Sequence, residues 1–241
     1  MPAISKAAQR EKPAAPAPAY RYERKFFISG LTRHEVLALI KSHPAIFSEI
    51  YHERFVNNIY FDSLSLKNYF ATVDGVQHRT KCRIRWYGEL LGYIEKPVLE
   101  FKIKSGFVGR KETYPLASFW LDEDFEFATL QEVFRNSELP PLVRMDLAPL
   151  QPTLLNRYRR KYYQSADRNY RITVDSDMAF YRLKAYGNTF LHKTVDRRSI
   201  IVELKYSNEK DQFADLISGR FPFRVTRSSK YVNGIDALYP W

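Results

Sequence analysis

The sequence predicts an α+β fold in which antiparallel strands close into a barrel around a wet, charged lumen, with helices packed outside. Three observations lead there. Leu99–Lys104 alternates strictly, with Leu99, Phe101 and Ile103 on one side and Glu100, Lys102 and Lys104 on the other. That is the period of two that marks a strand with one apolar face. Three further stretches share the pattern. Lys81, Arg83 and Arg85 alternate with Cys82, Ile84 and Trp86; Glu203 and Lys205 alternate with Val202, Leu204 and Tyr206; Glu23 and Lys25 alternate, less cleanly, with Tyr22, Arg24 and Phe26. Finally, the chain is basic, with 38 Lys+Arg against 27 Asp+Glu and a formal net charge of +11. One such strand alone would read as part of an ordinary antiparallel sheet with one face toward water. Several strands with apolar backs and cationic fronts satisfy both faces by closing on themselves, ionic side inward, under a cover of helices.

Length and composition bound the rest. At 241 residues the chain fits one large domain or two small ones. Its 45% hydrophobic fraction supports a full core, and its 15% aromatic fraction favours strands. The charge calls for a polyanionic partner: nucleic acid, an anionic membrane surface or a phosphate-rich small molecule. The single cysteine, Cys82, excludes an intramolecular disulfide framework and a Cys-based zinc site, and it fits a reducing compartment. The five histidines are scattered without metal-ligand spacing. No signal peptide and no apolar run of ~18 residues is evident, so a soluble, cytoplasmic protein is expected.

The elements follow in order. Residues 1–20, rich in Ala, Pro and Lys, read as a disordered tail, and residues 21–241 as the folded domain. Arg21–Ser29 is the first strand. Thr32 caps a helix to about Lys41, with Glu35 at the capping-box position. Phe55–Asp62 is a strand and Leu64–Thr72 a short helix, ended by an Asp74-Gly75 turn. Strands Arg79–Tyr87 and Pro97–Lys104 come next, then a Ser105-Gly106 turn and a hairpin partner over Val108–Leu116. Ala128–Asn136 is helical, and Pro140-Pro141 opens another helical segment. Leu154–Gln164, Tyr170–Asp175 and Arg197–Ser207 are strands; Asn208–Ser218 is a helix stopped by Gly219. Ser228-Ser229-Lys230 begins a last helix to about Leu238, with a serine able to cap it.

A lumen lined with Arg and Lys is unfavourable when empty, because unpaired buried charges are costly. A multivalent anion must help fill it, and the planar fork of Arg suits phosphate. The minority carboxylates Glu23, Glu100 and Glu203 read either as salt-bridge partners or as ligands for a hard divalent cation.

Eight segments, in order, then carry a resemblance. They are Tyr22-Glu23-Arg24-Lys25-Phe26, Asn58-Ile59-Tyr60-Phe61-Asp62, Arg83-Ile84-Arg85-Trp86-Tyr87-Gly88 and Leu99-Glu100-Phe101-Lys102 in the first half. The second half adds Tyr158-Arg159-Arg160-Lys161-Tyr162, Tyr170-Arg171-Ile172-Thr173-Val174-Asp175, Val202-Glu203-Leu204-Lys205 and Ser228-Ser229-Lys230-Tyr231. Over residues 20–238 the chain resembles the catalytic domain of the vacuolar transporter chaperone (VTC) family of polyphosphate polymerases, within the CYTH-like superfamily of triphosphate tunnel metalloenzymes. The resemblance implies an eight-stranded antiparallel tunnel and an ATP-polyphosphate phosphotransferase. It also implies ATP and polyphosphate as ligands and a divalent metal, Mn2+ or Mg2+.

Carried over by position, Lys25, Arg83, Arg85, Lys102, Arg160, Arg171 and Lys230 would grip the reacting phosphates. Lys205, Arg227 and Ser229 would add substrate contacts, together with either Arg110 or Lys111, of which Lys111 is taken. Glu203 would bind the metal. The superfamily places two glutamates before its first-strand lysine and this chain has only Glu23, so the metal rests mainly on Glu203. Taken alone, Glu23 and Glu100 read as salt-bridge partners before metal ligands. Strand alternation leaves open whether Arg160 or the set Arg157, Arg159 and Lys161 faces inward; the resemblance selects Arg160.

The eukaryotic members carry an inositol-phosphate-sensing domain and membrane-spanning segments that this chain does not show. Export of a polymer would therefore need a membrane-protein partner. Rival readings are a tripolyphosphatase or nucleoside triphosphatase of the same tunnel, a non-catalytic polyphosphate-binding module, and, from charge alone, nucleic-acid binding. The alternating lumen pattern argues against the last, which calls for an exposed basic face with stacking aromatics.

Overall fold

The computed structural model describes residues 21–105 and 108–239. The expected tail over residues 1–20 and Gly106 of the expected Ser105-Gly106 turn thus lie outside the described residues. In chain order the elements are β1 (Arg21–Ile28), α1 (Arg33–Lys41), β2 (Ser48–Asp62), α2 (Lys67–Val73), β3 (His78–Tyr87), β4 (Gly92–Ile94), β5 (Val98–Ser105), β6 (Val108–Pro115) and β7 (Phe119–Leu121). Then come α3 (Phe127–Arg135), α4 (Pro141–Leu147), β8 (Gln151–Gln164), β9 (Arg171–Arg182), β10 (Lys193–Asp196), β11 (Ile200–Ser207), α5 (Asp211–Ser218) and α6 (Lys230–Leu238).

One antiparallel sheet runs β1-β11-β9-β8-β2-β3-β5-β6, with β10 paired to β9; β4 and β7 form a separate two-stranded ribbon. Among the described residues no ladder joins β1 to β6, and side chains make the closure instead. Lys102 of β5 reaches Glu23 of β1 at 2.9 Å. Lys25 of β1 lies 3.4 Å from Glu203 of β11. Glu203 meets Arg160 of β8, which also holds Asp175 of β9. Arg160 stacks over Tyr158, and the Tyr158 hydroxyl accepts a hydrogen bond from Arg85 of β3. Arg85 in turn is held by Asn58 of β2 and lies 3.8 Å from Glu100 of β5, to which Lys111 of β6 also binds. This unbroken circuit touches all eight strands of the path, so their inward faces surround one lumen.

Outside the lumen the apolar backs of the strands are covered in two sections. Ile59, Ile84, Leu99 and Phe101 pack against Leu130 and Val133 of α3 and Val143 and Leu147 of α4. Phe26, Ile172, Val202 and Leu204 pack against Val36 and Ile40 of α1 and Ala214 of α5. Cys82 belongs to the first section and is buried. The N-terminus of α1 is fixed as the sequence predicts, by reciprocal Thr32 and Glu35 bonds.

A third apolar cluster lies inside the barrel. Leu154, Tyr158, Met178, Phe180 and Ile201 face inward and enclose Tyr231 and Ile235 of α6, which plugs this end. Gly234 allows the approach: a Cβ there would lie 2.5 Å from Leu154 and 2.6 Å from Phe180. Asp62, fully buried at the end of β2, ties the plug down. Its carboxylate accepts from the backbone N–H groups of Ser63, Asn68 and Tyr69 and from the Tyr231 hydroxyl at 2.6 Å.

Two differences from the sequence expectations have physical causes. β2 begins at Ser48, not Phe55; its first residues are mostly polar and exposed, with Ile50 and Tyr51 adjacent and register shifts against β8, so no alternation marks them. β9 runs past Asp175 to Arg182 through a bulge opposite Arg157/Arg159, with Asp177 at φ 51°. The bulge exchanges the two faces, so Met178 and Phe180 turn inward and the expected period breaks. The helix before Gly219 ends there as expected, although Gly219 keeps an ordinary right-handed conformation.

Candidate functional site

The lumen holds most of the residues expected to act, gathered around four carboxylates. Asp175 is fully buried and receives both Nε and Nη2 of Arg160, at 2.5 and 2.6 Å, and Lys230 Nζ at 2.5 Å. Beside it, Glu203 receives Lys205 at 2.8 Å, Lys25 and Arg160 at 3.4 Å, Lys230 at 3.6 Å and the Thr173 hydroxyl at 3.2 Å. Burial pushes both carboxyls up, but the surrounding cations outweigh it: Lys205, Lys25, Lys230 and Arg160 hold Glu203 well below the usual range. Arg160 and Lys230 likewise hold Asp175 down. Arg160 thus faces these inward carboxylates, while Arg157 lies over the Phe55 ring, on the other side of the strand.

Glu100 takes Arg83 at 2.6 Å, Lys111 at 2.5 Å and Arg85 at 3.8 Å, and these cations outweigh burial to hold it at about 2. Its place is that of a salt-bridge partner. Lys111 faces the lumen, whereas Arg110 points away and pairs with Glu112. Glu23 lies between Lys25 at 3.3 Å and Lys102 at 2.9 Å. Burial and the Glu203 charge push it up; Lys25, Lys102 and Lys205 prevail and bring it to about 2. Neutral groups then fix the arginines in place. Asn58 accepts from Arg85 at 2.9 Å and is itself held by Asn156, while Tyr60 and Tyr158 accept from Arg83 and Arg85.

Ser229 caps α6, accepting from Val232 N–H, and accepts from Lys81 Nζ at 2.8 Å. Lys81 has no carboxylate partner among the described residues. Burial, reinforced by Lys25, Lys102, Arg79 and Arg83, pushes its ammonium down to about 7. The two remaining expected residues stand apart from the circuit. Arg171 is exposed and pairs in register with Lys205, toward the open mouth. Arg227 is exposed beside the Asp74-Gly75 turn. The segment before it seals the edge of β1, since Thr226 N–H donates to the Lys25 carbonyl and Thr226 Oγ accepts from Phe27 N–H.

Sequence reasoning missed two site residues. Asp175, the anchor of Arg160 and Lys230, sits two residues beyond Thr173 and four beyond Arg171, so its period-two spacing was the available signal. Lys81 has the same parity as Arg83 and Arg85 and was visible as part of the charged face.

The residues fit a divalent metal only in part. Glu23 and Glu203 both approach one point, the Lys25 nitrogen, within 3.4 Å. Their oxygen donors suit a hard cation. Among the described residues no group of three or more His, Cys, Asp or Glu converges, so such a cation would draw its remaining ligands from phosphate oxygens and water.

Eight antiparallel strands around a basic lumen, plugged at one end by a helix, define a triphosphate-tunnel protein. Two solved structures share this fold at low sequence identity. One is an adenylyl cyclase candidate from Hippeastrum, described as having a dominant triphosphatase activity: 15% identical, TM-score 0.52, covering 92% of this chain and 98% of that one. The other is an adenylate cyclase candidate from Vibrio parahaemolyticus: 10% identical, TM-score 0.50, covering 90% and 99%. No curated protein matches the chain in sequence. The VTC domain family model matches residues 20–239, nearly the whole chain, and the protein belongs to that family.

Proposed function

We propose that this protein is a polyphosphate polymerase that transfers the γ-phosphate of ATP to the end of a growing polyphosphate chain. The observation that carries the proposal is the circuit of lumen cations held by four carboxylates. Lys25, Arg83, Arg85, Lys102, Lys111, Arg160, Lys205 and Lys230 all pair with these carboxylates, eight cations against four anions, so their charge is only partly neutralised. A bound triphosphate would replace carboxylate oxygens with its own, and bidentate arginines suit that exchange.

In the proposed reaction, a terminal oxygen of the chain attacks the γ-phosphorus in line. The bond from that phosphorus to the β,γ-bridging oxygen breaks, and ADP leaves with the electron pair. The nucleophile is already anionic, so no general base is needed. Arg83, Arg85, Arg160 and Lys230 position the phosphates and neutralise charge on the equatorial oxygens. Glu203, with Glu23, would hold a divalent cation, which supplies further neutralisation of the phosphate oxygens when bound. Ser229 and the N-terminus of α6 present donors to an anion at the inner end. Lys102, Lys111, Arg171 and Arg227 would act further along the chain's path.

A second reading, hydrolysis by water in place of the chain end, is favoured by the triphosphatase activity named for the Hippeastrum neighbour. No helix among the described residues is long and apolar enough to cross a membrane. A cytoplasmic site of action, with a membrane-protein partner where the product is exported, belongs to the proposal. The test is incubation with ATP and Mn2+ while ADP, free phosphate and acid-precipitable polymer are followed together. Polymer formed in step with ADP supports the polymerase, and free phosphate without polymer assigns the hydrolase.

A further inference from the structure

The inward face of the barrel changes character once more, at the open mouth. Beyond Arg85 on β3 the next inward residue is Tyr87, and beyond Arg160 on β8 it is Tyr162; Arg54 of β2 pairs in register with Arg160. These three side chains meet. The Arg54 guanidinium lies 4.3 Å from the Tyr87 ring centroid, 4.9 Å from that of Tyr162 and 5.7 Å from that of Tyr51. Its Nε donates to the Tyr162 hydroxyl at 3.2 Å. No carboxylate pairs with Arg54 among the described residues, unlike Arg83, Arg85 and Arg160 deeper in. Tyr51 is 54% and Tyr87 48% exposed.

This layer is built unlike the phosphate-facing layers beneath it. Those present several cations and carboxylates. On the β2, β3 and β8 side the mouth presents one planar cation, Arg54, fixed among rings, of which Tyr51 and Tyr87 are open to water. Such a surface suits a flat, uncharged π-system, through stacking on tyrosine and cation–π contact with Arg. Its height also fits. Tyr87 is two residues beyond Arg85, or ~7 Å along a strand, a separation that a ribose and its first phosphate bridge when the outer phosphates sit in the arginine layer.

We propose that Arg54, Tyr87 and Tyr162, flanked by Tyr51, form a stacking seat for the nucleobase of a bound nucleoside triphosphate. This inference rests on the reading that a triphosphate occupies the lumen, and it adds what would distinguish a nucleotide from a bare polyphosphate.

The experiment compares dissociation constants of ATP and of inorganic tripolyphosphate, with magnesium, by calorimetry on wild type, Tyr87→Ala and Tyr87→Phe. The seat predicts that Tyr87→Ala weakens ATP roughly tenfold or more, leaves tripolyphosphate within about twofold, and that Tyr87→Phe restores ATP. Equal weakening of both ligands overturns the seat, because the contact is then with phosphate or with the fold. No change in either also overturns it. Wild type that binds tripolyphosphate but not ATP overturns the seat and leaves the tunnel reading standing, whereas binding neither overturns both. Should Tyr87→Ala fail to fold, saturation-transfer NMR of ATP on wild type decides: transfer to the adenine protons supports the seat, and transfer to the ribose alone overturns it.

Discussion

The two halves of the lumen are made by the same strands and solve opposite problems. Toward α6, the inward positions of β8, β9 and β11 are Leu154, Phe180 and Ile201, and they close on the protein's own helix. Toward the mouth the same strands turn in Arg160, Asp175 and Glu203, and these close on one another. The apolar half gains stability by excluding water and needs no partner. The ionic half gathers more cations than carboxylates in partly dry surroundings, so its own ion pairs relieve only part of the cost. The difference teaches that a plugged, self-sufficient end frees the other end to depend on a ligand.

Removing Asp175 should break this comparison most strongly. Asp175→Ala leaves Arg160 and Lys230 buried without their shared anion, and a loss of about 3–5 kcal/mol in denaturant unfolding is expected. Tripolyphosphate should recover more stability in this variant than in wild type. On the apolar side, Ile235→Ala empties a fully buried site of the plug and should cost about 2–5 kcal/mol, with no recovery by tripolyphosphate beyond that of wild type. Gly234→Ala pushes a methyl against Leu154 and Phe180 and should lower stability by about 1–3 kcal/mol, read as a lower melting temperature.

Two pH effects sharpen the contrast further. Glu23 and Glu100 are held at about 2, below their ordinary 4.5. The stability they contribute is complete above pH 4.5 and lost as pH falls toward 2, so ion-pair unfolding should appear in that acid window in circular dichroism. Lys81 has the opposite sign. At about 7 against an ordinary 10.5, it binds a proton more weakly in the folded protein than in the unfolded chain, and its effect on stability improves as pH rises from 7 to 10.5. A polyanion reverses this by favouring the ammonium. Tripolyphosphate binding at pH 8 should therefore take up a proton, measured by calorimetry in buffers of different ionisation enthalpy. Lys81→Arg, which stays charged, should abolish the uptake, and unchanged uptake in that variant would contradict the assignment.

Much of this fold was legible because alternation survives wherever one face of a strand is apolar and the other ionic. Leu99–Lys104 and Val202–Tyr206 show it without interruption, and the capping box at Thr32 and Glu35 marked its helix directly. The α6 plug was legible as a helix but not as the stopper of the barrel, because its apolar face reads like any core-facing face. The inward turn of Met178 and Phe180 was hidden by the bulge at Asp177, a backbone feature that exchanges the faces without a glycine to announce it. The short β4–β7 ribbon has too few residues to establish a period. Within the site, the parity of Arg83, Arg85 and Lys102 is that of the face on which they meet Glu100 and Glu23. Asp175 was passed over because a lone carboxylate on a strand gives no sign that two cations from other elements converge on it. The choice between Arg110 and Lys111 needed the pairing of β6 with β5, which sets Lys111 opposite Lys102.

The central proposal is that the ionic half of the lumen builds polyphosphate from ATP, with Glu203 as its metal-facing carboxylate. The most direct measurement follows ADP, free phosphate and polymer from ATP and Mn2+, for wild type and Glu203→Gln. The account predicts ADP and polymer rising together in wild type with little free phosphate, and a loss of at least a hundredfold in the variant while it keeps its fold. ADP without polymer, or a Glu203→Gln protein as active as wild type, would contradict it.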